Sequence, residues 1–294
     1  MNYEIKNGLV GMRPYLMVYK HYIPYTLSGE CALVLIGGGG HRMKVWERTP
    51  DGREGWAPFF AKNGREVIVV EWTCNSPEVY RCSKKALCRL GQKENMRLIK
   101  DVVEKEIGLK KKIALFGWSM GGPQAFKLAT DIIPERVSAV FGYAATGPLN
   151  FFKQKTRYKL FLNRPFKISE ESIEHICDSP FFPKRHKNNY VRKYMLPISP
   201  RMMAIQAKHL KFKKEWPSLS IKKTKNIPPT FLVNGTLDKG HIFEKEKIFI
   251  EWLKKYQKDI TLKYVKGFPH LGMLCMGNEK IAKLYLDWLK KRSI

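Results

Sequence analysis

From about residue 31 onward, short unbroken apolar runs alternate with stretches whose apolar residues recur every three or four positions. The runs are CALVLIGG (31–38), EVIVVEW (66–72), KIALFGW (112–118), VSAVFGYA (137–144), TFLVNG (230–235) and TLKYVKGF (261–268). Continuous apolarity of this kind predicts parallel strands covered on both faces. Between the runs, Met96, Ile99, Val103 and Ile107 share one helical face. Phe249, Trp252, Leu253 and Tyr256 share another, and Ile281, Leu284, Tyr285, Trp288 and Leu289 a third. Strand–helix alternation predicts a doubly wound, mostly parallel α/β sheet, and right-handed crossovers restrict its topology. The opening residues, up to about Tyr25, differ. Tyr15, Met17 and Tyr19 alternate loosely against Leu16 and Val18, which predicts a β-hairpin.

Residues 148–226 interrupt the alternation, between the fourth and fifth predicted parallel strands. They carry prolines at 148, 165, 180, 183, 197, 200 and 217 and many aromatics. The segment reads as an inserted cap of short helices on a core formed by 1–147 and 227–294, not as a second independent domain. Cap packing accounts for most of its aromatics. Some of Phe151, Phe152, Phe161, Phe166, Phe181, Phe182, Phe212 and Trp216 would line an apolar acyl or aryl pocket.

With 294 residues and 44% hydrophobic composition, the chain can bury a core without staples and is not mainly disordered. No run of 18 apolar residues predicts a transmembrane helix. MNYEIKNGLVGMRPYLM lacks a basic stretch followed by an apolar one, so no signal peptide is read and a cytoplasmic location is expected. Cys31, Cys74, Cys82, Cys88, Cys177 and Cys275 form no CxxC and no zinc-like cluster; reduced thiols are expected. The formal charge of +28 would attract anions. Half of that excess lies in 148–226, with 19 Lys/Arg against 5 Asp/Glu. Because lysines recur along the whole chain, a solvated basic surface is the expectation, with no specific nucleic-acid partner.

The sharpest chemical signal is Gly117-Trp118-Ser119-Met120-Gly121-Gly122, which follows a predicted strand and opens a predicted helix, PQAFKLATDII. GxSxG in that context is a nucleophile elbow, which lifts the serine hydroxyl above the sheet. A serine nucleophile needs a base and an orienting acid, in the chain order Ser, Asp/Glu, His. Asp238 in GTLDKG and His270 in GFPHLGM both follow strands, at the edge where open α/β sheets place ligands. His241 competes as base, but it lies only three residues from Asp238. Gly37-Gly38-Gly39-Gly40 follows the first parallel strand and can turn backbone N–H groups toward an oxyanion. The donors are read as Gly39 or Gly40, together with Met120. A dinucleotide loop would need GxGxxG opening a helix; here 41–57 continues as a loop. His41 and Arg42 could line the pocket, but the loop surface is the expected place for them, and Glu71 is expected in a structural salt bridge.

The elbow and the order of the three candidate residues resemble the α/β-hydrolase superfamily over nearly the whole chain, which implies the α/β-hydrolase fold. A finer resemblance lies in Trp46, Glu47, Thr49, Pro50, Asp51, Gly52, Arg53, Gly55 and Trp56. These are similar to a Trp-Glu-x-Thr-Pro-Asp-Gly-Arg-x-Gly-Trp pattern of the "novel bacterial esterase" branch. The chain departs from the pattern it resembles twice. Ile36, not histidine, precedes Gly37. The branch's glutamate after the strand that follows the nucleophile helix is missing, since 142–150 holds no carboxylate. The expectation is a serine hydrolase that cleaves a small-molecule carboxylic ester, with no metal or organic cofactor. Fold alone leaves open a thioesterase, lactonase, C–C hydrolase or aminopeptidase, or a non-catalytic binding protein.

Overall fold

The computed structural model describes residues 2–76, 79–148, 163–206, 213–215, 218–239 and 243–294. The hairpin forms β1 (Tyr3–Met12) and β2 (Tyr15–Pro24), joined at Arg13-Pro14. Then come β3 (Ala32–Ile36) and β4 (Val67–Val70), followed by a two-residue ribbon of β5 (Asn75–Ser76) and β6 (Tyr80–Arg81). β7 (Ile113–Trp118), β8 (Val137–Tyr143), β9 (Thr230–Gly235) and β10 (Ile260–Val265) complete the set. The main sheet has the order β1-β2-β4-β3-β7-β8-β9-β10. β2 runs antiparallel to β1 and β4, and all the pairs from β4 to β10 are parallel.

The apolar runs are continuous because two cores share each central strand. Leu33 and Leu35 face one core, with Trp46, Trp56, Phe60, Tyr285 and Leu289. Ala32, Val34 and Ile36 face the other, with Met96, Ile99, Val103, Phe126, Phe249 and Leu253. The first core holds helices α2 (Trp56–Lys62) and α10 (Asn278–Lys290); the second holds α4 (Gln92–Ile107), α5 (Gly121–Lys127) and α9 (Phe243–Lys254). A leucine buried like Leu35 would cost about 2–5 kcal/mol to truncate to alanine. β10 differs from the expectation of two covered faces. It is an edge strand, and most of its residues are only half-buried.

Two further differences are local. The stretch read as a loop at 41–57 contains one helical turn, α1 (Lys44–Glu47). The helix after the elbow is regular only to Lys127 and continues as a π-turn over Leu128–Ile132. A further helix, α3 (Lys84–Arg89), starts from a Ser83 cap whose side chain accepts the Ala86 N–H. In the 148–226 segment lie α6 (Glu170–Cys177), α7 (Lys187–Tyr194) and α8 (Pro200–Gln206). Phe166 pairs with Ile198 there, and Met195 pairs with His41 of the loop after β3. All six cysteines are free thiols.

Candidate active site

β7 ends at Trp118, and the chain turns sharply into α5. Ser119 holds the turn with φ +50°, a left-handed conformation that non-glycine residues seldom adopt. The turn is tight because its neighbours are glycines. A Cβ on Gly121 would stand 2.5 Å from the Ile36 carbonyl oxygen, and one on Gly122 2.5 Å from that of Thr146. The Ser119 carbonyl accepts from the N–H groups of Gly122 (3.0 Å) and Thr146 (3.1 Å) and from the Thr146 hydroxyl (3.0 Å). Ser119 is half-buried. Strain fixed by its surroundings at a serine is a mark of a functional position.

Asp238 and His270 come from the loops after β9 and β10. Those loops are zipped together: Thr236 N–H donates to Val265 and Leu237 N–H to Phe268, each at 3.0 Å. Asp238, whose side chain is inaccessible, accepts at Oδ2 from His270 Nδ1 at 2.9 Å. A carboxylate can only accept, so Nδ1 carries the proton and Nε2 presents a lone pair. Two strand ends hold the histidine loop from below. Trp118 Nε1 donates to the His270 carbonyl (3.1 Å), and the Tyr143 hydroxyl to that of Pro269 (2.7 Å). Trp118 is thus adjacent both to Ser119 in sequence and to His270 in space.

The glycine run lies over the elbow. A Cβ on Gly38 would meet the Trp118 ring at 2.9 Å, and one on Gly39 would overlap the Met120 sulfur. Gly39 and Met120, two of the candidate donors, are therefore in contact, and Gly40 follows with φ +73°. His41 corrects the expectation of a surface residue. It is buried, packs edge-on against Trp118 at 4.5 Å between ring centroids, and bonds Gly39 and Tyr190. Met195, within the 148–226 segment, pairs with it because that segment runs directly over the glycine loop. Glu71, at the end of β4, is fully buried and accepts the Met43 N–H at Oε1 (2.8 Å). Through Met43 it holds the end of the same loop. Sequence reasoning did not single out Trp118, Tyr143, Thr146 or Tyr190. The available signal was a polar-tipped aromatic at the C-terminal end of an apolar strand, Trp118 on β7 and Tyr143 on β8.

His241 and the aromatics Phe151, Phe152, Phe161, Phe212 and Trp216 lie outside the described residues. Phe182 is core packing against Tyr190, and Phe181 packs on Phe268, two residues before His270. Among the described residues, no group of three or more His, Cys, Asp or Glu could hold a metal ion. No described helix is long and apolar enough to cross a membrane.

No protein-family profile matches the chain. A 54-residue stretch is 35% identical to a protein named "Probable secreted lipase phiG" from Fungal sp. (strain ATCC 74256), covering 18% of this chain and 15% of that protein. Among solved structures, a thermophilic esterase from Thermogutta terrifontis superposes with a TM-score of 0.67 at 15% identity, over 98% of this chain and all of that one. The peroxisomal α/β-hydrolase Lpx1 from Saccharomyces cerevisiae superposes with a TM-score of 0.64 at 12% identity, over 99% and 90%. The chain has the α/β-hydrolase fold.

Within this α/β-hydrolase fold, the Trp-Glu-x-Thr-Pro-Asp-Gly-Arg-x-Gly-Trp stretch is a brace. Asp51 accepts from the Thr49 hydroxyl (2.6 Å) and from Arg53 Nε (2.9 Å). Arg53 then reaches across to the Cys275 carbonyl (2.9 Å), just beyond His270. Burial works against the Asp51 charge, but the Arg53 and Thr49 hydrogen bonds outweigh it and hold the carboxyl below its ordinary range. Trp46 and Trp56 pack on Phe116 of β7, and Trp56 Nε1 donates to the Asn278 carbonyl (3.0 Å). The pattern therefore couples the strand under the elbow to the loop that carries the histidine.

Proposed function

We propose that this α/β-hydrolase-fold protein is a serine hydrolase that cleaves a carboxylic ester through an acyl-enzyme. The observation that carries the proposal is the strained elbow at Ser119, whose neighbour Trp118 bonds the His270 carbonyl, together with a His270–Asp238 pair already in hydrogen-bond geometry. Ser119 Oγ attacks the ester carbonyl while His270 Nε2 takes its proton. Asp238 keeps the Nδ1–H tautomer and stabilises the imidazolium that forms. The N–H of Met120 and that of Gly39 or Gly40 receive the developing oxyanion. His270 returns the proton to the leaving alcohol. Water, activated by the same imidazole, then releases the acid. This chemistry needs no metal or organic cofactor.

Segment 148–226 serves as the cap in this reading. Ile198 and Ile168 stand beside Gly39 and Gly40, and Met120 and Met202 share a cluster with Ile198. An apolar surround of this kind next to the glycine loop suits a small uncharged ester better than an anionic one. The solved esterase and the lipase match are consistent with ester chemistry. The test is labelling with a fluorophosphonate probe, followed by turnover of p-nitrophenyl esters of graded acyl length. Wild type should label with one equivalent and turn over. Ser119→Ala should lose labelling and about 10⁴–10⁶ in kcat while keeping its fold. Near-normal turnover by folded Ser119→Ala would remove the proposal.

A further inference from the structure

We infer that His41, held by Tyr190 from the 148–226 segment, is a positioning residue that fixes the direction of the Gly39–Gly40 peptide and with it a candidate oxyanion donor. The inference rests on the hydrolase reading above. It starts from two hydrogen bonds. His41 Nδ1 lies 2.9 Å from the Gly39 carbonyl oxygen, and Nε2 is bonded to the Tyr190 hydroxyl. A carbonyl can only accept, so Nδ1 carries the proton. Nε2 then has a lone pair, and the Tyr190 hydroxyl donates to it. The two bonds select one neutral tautomer. Burial, the largest influence, draws the His41 pKa down to about 3; the Gly39 bond opposes this, and the nearby His270 adds to it. A neutral ring is what the site requires. A cation there would oppose the positive charge that His270 acquires during acyl transfer.

The peptide needs holding because of its sequence. Four consecutive glycines have no Cβ to restrict them, so a peptide flip among them is cheap. A flip would turn a carbonyl oxygen, not an N–H, toward the developing negative charge. In a trans peptide the C=O and N–H lie on opposite edges. Fixing the Gly39 carbonyl therefore fixes the Gly40 N–H. The next peptide is fixed as well, because the Gly40 carbonyl accepts the Leu196 N–H at 2.8 Å. The Arg42 N–H closes the same bridge by donating to the Tyr194 carbonyl, also at 2.8 Å. All three anchors, Tyr190, Tyr194 and Leu196, belong to 148–226. That segment preorganises the oxyanion loop as well as covering the substrate.

The competing account is that His41 only fills space against Trp118. His41→Phe separates the two, since it keeps a ring and loses both hydrogen bonds. His41→Asn keeps a donor near the Nδ1 position, and Tyr190→Phe removes only the outer anchor. We would measure kcat and KM for p-nitrophenyl butyrate well below each variant's Tm, with the stoichiometry and rate of fluorophosphonate labelling. His41→Phe should lose about 10²–10³ in kcat, the cost of one oxyanion donor, with KM within about threefold. It should still label to one equivalent, more slowly. His41→Asn should regain at least about tenfold, and Tyr190→Phe should fall between. Folded His41→Phe with a kcat near wild type would overturn the inference, as would His41→Asn no better than His41→Phe. If His41→Phe fails to fold, a normal kcat in Tyr190→Phe overturns it instead. If wild type neither labels nor turns over, the hydrolase reading fails and takes the inference with it.

Discussion

Asp238→Asn isolates the proposed acid with almost no change of shape. The Asp238 side chain is inaccessible and bonds His270 Nδ1 at 2.9 Å. Asparagine occupies the same volume, and the backbone anchors remain, Asp238 N–H to Gly235 (3.1 Å) and Leu237 N–H to Phe268 (3.0 Å). The melting temperature should therefore move little. The chemistry should not survive. An amide nitrogen can donate to Nδ1, which favours the tautomer protonated at Nε2. In the proposed mechanism that tautomer cannot take the Ser119 proton. The anion that stabilises the imidazolium is lost as well. Together these should lower kcat by about 10³–10⁴, or about 4–5.5 kcal/mol of transition-state stabilisation. KM should stay within a few fold, because the charge on His270 appears only on the way to the transition state. The assay is steady-state hydrolysis of p-nitrophenyl esters beside thermal denaturation. Glu71→Gln is the control, since a glutamine oxygen can still accept the Met43 N–H. A mild loss for Asp238→Asn together with a severe one for Glu71→Gln would refute the assignment.

Three further outcomes are expected. Gly121→Ala sets a methyl 2.5 Å from the Ile36 carbonyl oxygen and 2.8 Å from that of Gly37, so it should cost about 3 kcal/mol or more in denaturant unfolding; a change below about 1 kcal/mol would contradict that contact. Buried His21 lies between Glu66 (2.7 Å) and Glu106 (3.0 Å). Burial opposes both carboxylates, but hydrogen bonds from His21 and Lys111 hold Glu66, and those from Tyr19 and His21 hold Glu106, below the ordinary range. Such groups add stability that is complete above the unfolded glutamate pKa of about 4.3 and is lost as pH falls through their folded values. Tm should therefore fall steeply below about pH 4 in wild type and less steeply in His21→Phe; parallel curves would argue against the network. For a neutral ester, kcat/KM should change less than about twofold between low and moderate salt, because exposed charges are screened beyond about 8 Å. Lys187 and Arg201 of 148–226 also have local carboxylate partners, Glu174 (2.6 Å) and Glu215 (3.0 Å). A strong, salt-sensitive preference for an anionic ester would instead make this segment an anion-recognition surface.

The strands were legible because of the two-core arrangement. When Leu33 and Leu35 face one helix layer and Val34 and Ile36 the other, no position in the strand can be polar, and the run itself reports the topology. The candidates Ser119, Asp238 and His270 were picked out because each follows such a run within a few residues, and the structure pairs the last two. His41 was not. A histidine after four glycines looks like a loop residue, and its burial depends on Tyr190, 149 positions away. Trp118 and Tyr143 were read only as strand apolars. Their rings do serve the core, but their polar tips hold the His270 loop, and nothing local marks that second use. The edge character of β10 was equally hidden, although Lys263 and Lys266 within TLKYVKGF were a hint.

The missing carboxylate in 142–150 has a physical counterpart in the structure. The part of that stretch within the described residues is already committed to the elbow. Thr146 bonds the Ser119 carbonyl twice, its own carbonyl lies against Gly122, and the Tyr285 hydroxyl donates to the Gly142 carbonyl (2.7 Å). Ala144, at φ +47°, turns the chain there. At Gly147 even a Cβ would meet the Phe249 ring at 2.9 Å. One strand further out, the loop after β9 is zipped to the loop after β10. A carboxylate at 238 therefore moves with the histidine it faces, whatever 142–150 does. The proposed acid and base then depend on one pair of strand ends, while the proposed nucleophile and the candidate oxyanion loop depend on β7, β3 and the 148–226 segment. Trp118 joins the two halves through its single indole N–H to the His270 carbonyl.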